Sequence, residues 1–206
     1  MAAEPGTRSL LQELTQEQMA LWRRRLEAGD VLWHDHITGL IYDMGKEYNP
    51  RVVELAVGRW TPSLSVVYAE GDLANLGGLN NELTQSGADR VMAYLVSVCR
   101  FEFEGFKGDV VFLRKGGDEF GLTVVGVPLD FVTAAIDKAK ERVLPYLQER
   151  GLLSLPHSKA NKPLGTGLRF AAVGFDPAVH RNADELRQEA EAFLEKMKEK
   201  PVYEFR

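Results

Sequence analysis

The chain's pattern predicts an α/β fold, a mixed β-sheet covered by helices. Three observations predict it. Short apolar, β-prone runs alternate with longer segments at helical spacing, in the order helix, strand, helix, hairpin, helix, strand, helix, strand. Two of the runs, Val110-Val111-Phe112-Leu113 and Leu122-Thr123-Val124-Val125-Gly126-Val127, flank Gly116-Gly117. Paired glycines between β-prone runs predict a tight hairpin, because glycine reaches positive φ without a Cβ clash. The length of 206 residues, 45% apolar and 27% charged, suits one medium domain with a sizeable core, with or without an N-terminal appendage.

Composition removes several function classes. A single cysteine, Cys99, excludes an intramolecular disulfide framework and a multi-cysteine metal site. It lies in the apolar run Val96-Ser97-Val98-Cys99 and is expected to be buried filler. The net charge of −5 argues against a nucleic-acid partner held by bulk electrostatics. No apolar run approaches membrane-spanning length, so no membrane partner is expected. Met1-Ala2-Ala3-Glu4-Pro5-Gly6 lacks the basic and apolar regions of a signal peptide, and a cytoplasmic location is expected.

Taken in order, residues 1–30 form an extension and a leading helix, and residues 31–206 the main domain. Thr15 and Gln18 make a capping box for a helix over 17–28 that closes at Gly29. Leu14, Leu21 and Ala28 recur at seven, a seam that packs on the domain or on a second copy. In Trp33-His34-Asp35-His36-Ile37-Thr38-Gly39-Leu40, adjacent side chains diverge, which disfavours a metal site. A turn is expected instead, with Asp35 and Thr38 bonding the backbone and Gly39 at a strained φ. Residues 44–55 are partly helical, and Trp60-Thr61-Pro62 is a break. Leu64-Ser65-Val66-Val67-Tyr68-Ala69 is a buried strand ending at Glu70-Gly71-Asp72. A helix over 87–100 turns Val91, Leu95 and Val98 to one face. The hairpin follows, then a helix over 131–148 with Val132, Ala135, Ile136, Ala139 and Val143 inward. Residues 152–165 form a polar, mobile connection. Residues 168–175 form a strand, and a last helix from Asn182 or Asp184 turns Leu186, Ala190, Phe193, Leu194 and Met197 inward. Val202-Tyr203-Glu204-Phe205 is a candidate edge strand.

Two features suggest chemistry. Asp118 and Glu119 follow the glycines at the hairpin tip, where two adjacent anions repel each other and a plain turn has little use for them. Asp72 stands at the C-terminal end of a buried strand, where α/β folds place ligand chemistry. A solvated acidic tip on an ordinary hairpin is the alternative reading of the first feature.

Arg114-Lys115-Gly116-Gly117-Asp118-Glu119-Phe120 resembles the signature of the GGDEF domains, the diguanylate cyclases. Other positions fall in register with that family. Asp35-His36-Ile37-Thr38-Gly39-Leu40 resembles its D-x-L-T-G-L turn. Setting Asp72 on the first aspartate of D-[ILV]-D-x-F-K-x-[IV]-N-D places Leu73, Leu76, Leu79, Asn80 and Asn81 on the following motif positions. Asp89 then falls on the aspartate of G-H-x-x-G-D. Ala171 to Phe175 stands where the family has S-I-G-V, and 190–198 follows A-D-x-A-L-Y-x-A-K, with Leu194 and Lys198 in place. The resemblance runs from Asp35 to the C-terminus. It implies a palm-like sheet, ferredoxin-like and shared with class III nucleotide cyclases, with the signature on a β-hairpin.

The resemblance also implies a reaction: two GTP molecules condense to cyclic di-GMP with release of pyrophosphate, in a homodimer. Mg²⁺ or Mn²⁺ would be held by Asp72, the Leu73 carbonyl, Asp118 and Glu119. Asp118 and Glu119 are the implied catalytic residues, Asp118 as base for the 3′-hydroxyl. Asn80 and Asp89 would meet the guanine edge, with Leu76 beside them. Gly116 and Gly117 would let the nucleotide approach the backbone, and Lys198 would neutralise phosphate. Departures are specific. The motif lysine falls on Gly77 and a late arginine on Val202, so two phosphate-binding cations are absent. The second motif aspartate is Ala74 and the G-H pair is Thr84-Gln85. No R-x-x-D precedes the hairpin, so product feedback there is not expected. Lys115, Arg114 or the 158–162 connection are candidate replacements for the lost cations. Two alternatives stand beside a cyclase: a module that binds a guanine nucleotide and signals through a regulatory partner, and a related enzyme with another product. For the latter, Asp89 favours guanine.

Overall fold

The nine-residue strand β2 (Val66–Ala74) is buried along its whole length and sits inside the sheet. Strands β4 (Glu119–Val125) and β5 (Gly167–Gly174) flank it, both antiparallel. Strand β3 (Asp109–Arg114) pairs antiparallel with β4, and β1 (Ile41–Tyr42) lies parallel to β3. The order is β1-β3-β4-β2-β5, the mixed sheet that the sequence predicts. This computed structural model describes residues 34–43, 48–159, 162, 163 and 165–203. The leading helix and its seam lie outside the described residues.

Side-chain alternation divides β2 between two layers. Val67, Ala69 and Leu73 face α2 (Leu76–Phe103) and α3 (Leu129–Glu149), where Leu79, Leu95, Val132, Ile136 and Val143 complete the main core. Val66 and Tyr68 face the other way, toward α1 (Tyr48–Gly58) and α4 (Ala183–Lys198). The same parity carries Glu70 and Asp72 onto the α1/α4 face. Asn182 caps α4 by accepting from the Glu185 amide at 3.0 Å. Cys99 is buried, and burial pushes its thiol up to about 12.

Several expectations need correction. β2 continues past Asp72 to Ala74, because β5 pairs with it through Leu73 and Ala74, whereas β4 stops at Asp72. The helix expected from residue 87 begins at Leu76 and bends at Thr84 (φ 63°, ψ 168°), so the polar stretch around Asn80 is helical. Gly87 permits the bend: a Cβ there would lie 2.7 Å from that of Leu83. The 152–165 connection holds a 3₁₀ turn (Leu152–Ser154), with Leu152 and Leu155 buried against the main core. Phe193 is 41% exposed rather than inward, while Leu186, Ala190 and Leu194 are buried. Of the candidate edge strand, Val202 and Tyr203 form a bend, with the Tyr203 ring packed over Gly167, and Glu204 and Phe205 lie outside the described residues.

Candidate functional site

The hairpin tip is held from two sides. Its four-residue loop, 115–118, closes through the Lys115 amide on the Glu119 carbonyl at 2.8 Å. Arg114 then stitches it, donating through Nε to the Gly116 carbonyl (3.1 Å) and through Nη2 to that of Gly117 (2.6 Å). Its Nη1 reaches Asp35 Oδ1 at 2.7 Å. Asp35 also accepts from the amide and hydroxyl of Thr38, inside the turn the sequence predicts, with Gly39 at φ 69°. Burial opposes the Asp35 charge, but the bonds from Thr38 and Arg114 outweigh it and hold the carboxyl below its usual range. Neither Gly116 nor Gly117 takes a positive φ, against the expectation. The guanidinium, not glycine's freedom, sets this turn.

On the opposite side Lys115 pairs with Glu70, which also accepts from the Tyr68 hydroxyl. Asn49 Nδ2 donates to that hydroxyl at 2.8 Å. A buried polar chain from α1 through β2 thus supports the loop. Arg114 and Lys115 are therefore engaged in structure and do not line the cleft described next.

The Leu73 amide donates to the Asp118 carbonyl at 2.8 Å, which sews the loop to the end of β2. Asp72 and Asp118 thereby line one cleft of about 430 Å³. Leu73, Leu76 and Lys198 line it too, so five of the expected site residues come together. Lys198 Nζ stands 3.5 Å from Asp72 Oδ1 and 2.7 Å from Glu195 Oε1. Arg169, opposite Asp72 in the β2–β5 register, places Nη1 3.8 Å from Asp72 Oδ2. Its Nη2 donates to the Lys200 carbonyl at 2.7 Å. Burial raises the Asp72 pKa, with Asp118 adding to the rise while Lys198 and Arg169 oppose it; the net shift is upward. Burial works against the Lys198 charge, yet Glu195 and Asp72 raise its pKa overall.

The remaining expected residues lie outside that lining. Glu119 opposes Asp72 in register, but its carboxylate turns back to within 3.2 Å of where a Gly116 Cβ would be. Gly116, half-buried, and Gly117, exposed, do not line the cleft. Asn80 is exposed on the first segment of α2, and Asp89 is half-buried on the second, beyond the Thr84 bend. Sequence reasoning missed Arg169. A lone charge inside the apolar run Leu168-Arg169-Phe170 was the available signal, since a buried strand carries a cation only where something balances it.

The donor set suits a small hard cation that shares its shell with phosphate. Two carboxylates and a backbone carbonyl cannot form a full protein cage, and among the described residues no cluster of three or more acidic, histidine or cysteine ligands occurs. Lys198 and Arg169 pair with the two Asp72 oxygens only at 3.5 and 3.8 Å, long separations that a cation bound by Asp72 would have to displace or share.

No protein-family model matches the sequence, and no curated protein matches it. Solved structures do resemble it. The GGDEF domain of FimX from Pseudomonas aeruginosa superposes with a TM-score of 0.58 at 18% identity, over 81% of this chain and 93% of that one. The GGDEF domain of DgcB from Caulobacter crescentus, solved with c-di-GMP, gives 0.58 at 18% identity over 80% and 86%. A microbial GGDEF domain studied for its interaction with cyclic di-GMP gives 0.56 at 22% over 82% and 94%. The five-stranded mixed sheet, its helices and the hairpin bearing Gly116-Gly117-Asp118-Glu119-Phe120 are therefore those of the palm-like GGDEF-domain fold.

Proposed function

We propose that the chain is a diguanylate cyclase that takes GTP into the Asp72–Asp118 cleft with a divalent cation. One observation carries the reading: the hairpin tip and the end of β2 bring these carboxylates into one cleft beside Lys198. Asp72, Asp118 and the Leu73 carbonyl are the groups that would hold Mg²⁺ or Mn²⁺, which when bound would offset phosphate charge and acidify the attacking hydroxyl. Lys198 neutralises a phosphate oxygen from α4. Asp118 is the carboxylate positioned to accept the 3′-hydroxyl proton. Asn80 and Asp89 on the two segments of α2 contact the guanine edge. Each chain presents one GTP, so joining two requires a second copy, and the active form is a homodimer. Full chain incubated with GTP and Mg²⁺ or Mn²⁺ is expected to release pyrophosphate and cyclic di-GMP, with Asp118→Ala inactive. Absence of both products from the wild-type chain would overturn the cyclase reading.

A second reading has its own support. Glu119 faces Gly116 rather than the cleft, and Asp72 already has two cations nearby, with which any metal competes. A module that holds GTP without turnover and signals through a partner fits those facts. It predicts nucleotide affinity in calorimetry without product.

A further inference from the structure

Position 77, where the resemblance calls for a phosphate-binding lysine, is not merely without a side chain. A Cβ there would lie 2.5 Å from Oγ and 2.9 Å from Cβ of Ser158. The connection after α3 occupies the space a side chain at 77 would need. It is fastened there by Asn75, whose Oδ1 accepts from the Ser158 amide at 3.2 Å and from the Gly78 amide at 3.1 Å. Asn75 Nδ2 donates to the Leu155 and Pro156 carbonyls at 3.3 and 3.1 Å. One buried side chain thus caps α2 and pins the connection across its first turn.

The connection brings cations with it. Lys159 and Lys162 line the cleft, and Arg169 on β5 adds a third. With Lys198 these four positive groups face the carboxylates of Asp72, Asp118 and Glu195. The first turn of α2 opens on the same space, with the positive end of its dipole toward it. His157, also in the lining, is held below its usual pKa, by burial first and then by the charges of Lys162, Arg169 and Lys159. Lys159, Lys162 and Arg169 thus add positive charge to a cleft where Lys198 is the phosphate-binding cation that the family register retains.

We propose that Lys159, Lys162 and Arg169 bind the terminal phosphates of the nucleoside triphosphate, in place of the cations absent at positions 77 and 202. The assignment rests on the reading that this cleft takes GTP. It explains why Gly77 is tolerated: the cation site has moved from the helix to the connection packed on it.

Calorimetric titration of the full chain with GTP and with GMP, each with Mg²⁺, tests this. The wild-type chain is expected to prefer GTP. Lys159→Gln/Lys162→Gln, on exposed positions, is expected to lose tenfold or more in GTP affinity with GMP affinity unchanged. Arg169→Lys, which keeps the charge but not the fork, is expected to show a smaller loss of the same kind. Unchanged GTP affinity in the double variant would overturn the assignment while leaving GTP in the cleft. Equal losses for GTP and GMP would also overturn it. A wild-type chain that binds no GTP would overturn the underlying reading instead.

Discussion

Asp72 works under opposed demands. Its carboxylate must be ionised to serve a cation, yet burial and the neighbouring Asp118 raise its pKa despite Lys198 and Arg169. A carboxyl whose folded pKa exceeds its unfolded value favours the fold when protonated, and that contribution is lost as pH rises through the folded pKa. Asp72→Asn is therefore expected to melt above the wild type at pH 7, with the gap closing as pH falls toward and below the ordinary value of 3.8. Thermal melts across pH 3–8 check this; a wild type that is the more stable at pH 7 would count against the placement. Arg114 is the opposite case, a buried cation at full employment between Asp35 and two loop carbonyls. Arg114→Ala leaves Asp35 buried and unpaired and is expected to cost about 3 kcal/mol in denaturant unfolding. Among single residues, Asp72 and Asp118 were legible because an acid at a strand end and an acid at a glycine turn are both costly without a purpose. The role of Arg114 was not, since nothing local shows that residues 35 and 114 meet. Gly116 and Gly117 misled, because glycine's freedom is an allowance and not a requirement.

At the level of elements, the bend in α2 carries strain that can be measured. Thr84 sits at φ 63°, ψ 168°, a region that costs a β-branched residue about 1–3 kcal/mol. Thr84→Gly is expected to raise the unfolding free energy by about 1 kcal/mol, the relief of strain exceeding the gain in unfolded-chain entropy. A loss of more than 1 kcal/mol in chemical denaturation would contradict a strained bend. Asn75 also takes a left-handed conformation (φ 64°, ψ 35°) and secures both α2 and the connection. Asn75→Ala is expected to destabilise by about 2 kcal/mol and to weaken GTP binding along with it, as equilibrium unfolding and titration would show. Strands β2 to β5 and the helices α3 and α4 were legible because alternation and helical spacing are local signals, whereas the two-residue β1 carries too little pattern to be read. The extent of α2 was not: Asn80-Asn81 and Thr84-Gln85-Ser86-Gly87 have a turn's composition, and tertiary packing of Leu79 against the core makes them helical.

For the whole molecule, the sheet is a frame that brings three separate stretches of chain to one end. The end of β2 supplies Asp72, the β3–β4 loop supplies Asp118, and β5 with the following helix supplies Arg169 and Lys198. Their convergence could be anticipated only through the family register, because contacts between residues a hundred apart leave no trace in local pattern. The connection at 158–162 was one of three candidate sources for the missing cations, but no local pattern could choose it over Arg114 and Lys115, and Arg169 was not among them. The measurement that bears most directly on this account is a crystal structure of the full chain with Mg²⁺ and a non-hydrolysable GTP analogue. The account predicts the triphosphate in the Asp72–Asp118 cleft, with its end against Lys159, Lys162, Arg169 and Lys198. A saturating analogue found elsewhere on the molecule, with this cleft closed by its own ion pairs, would contradict it.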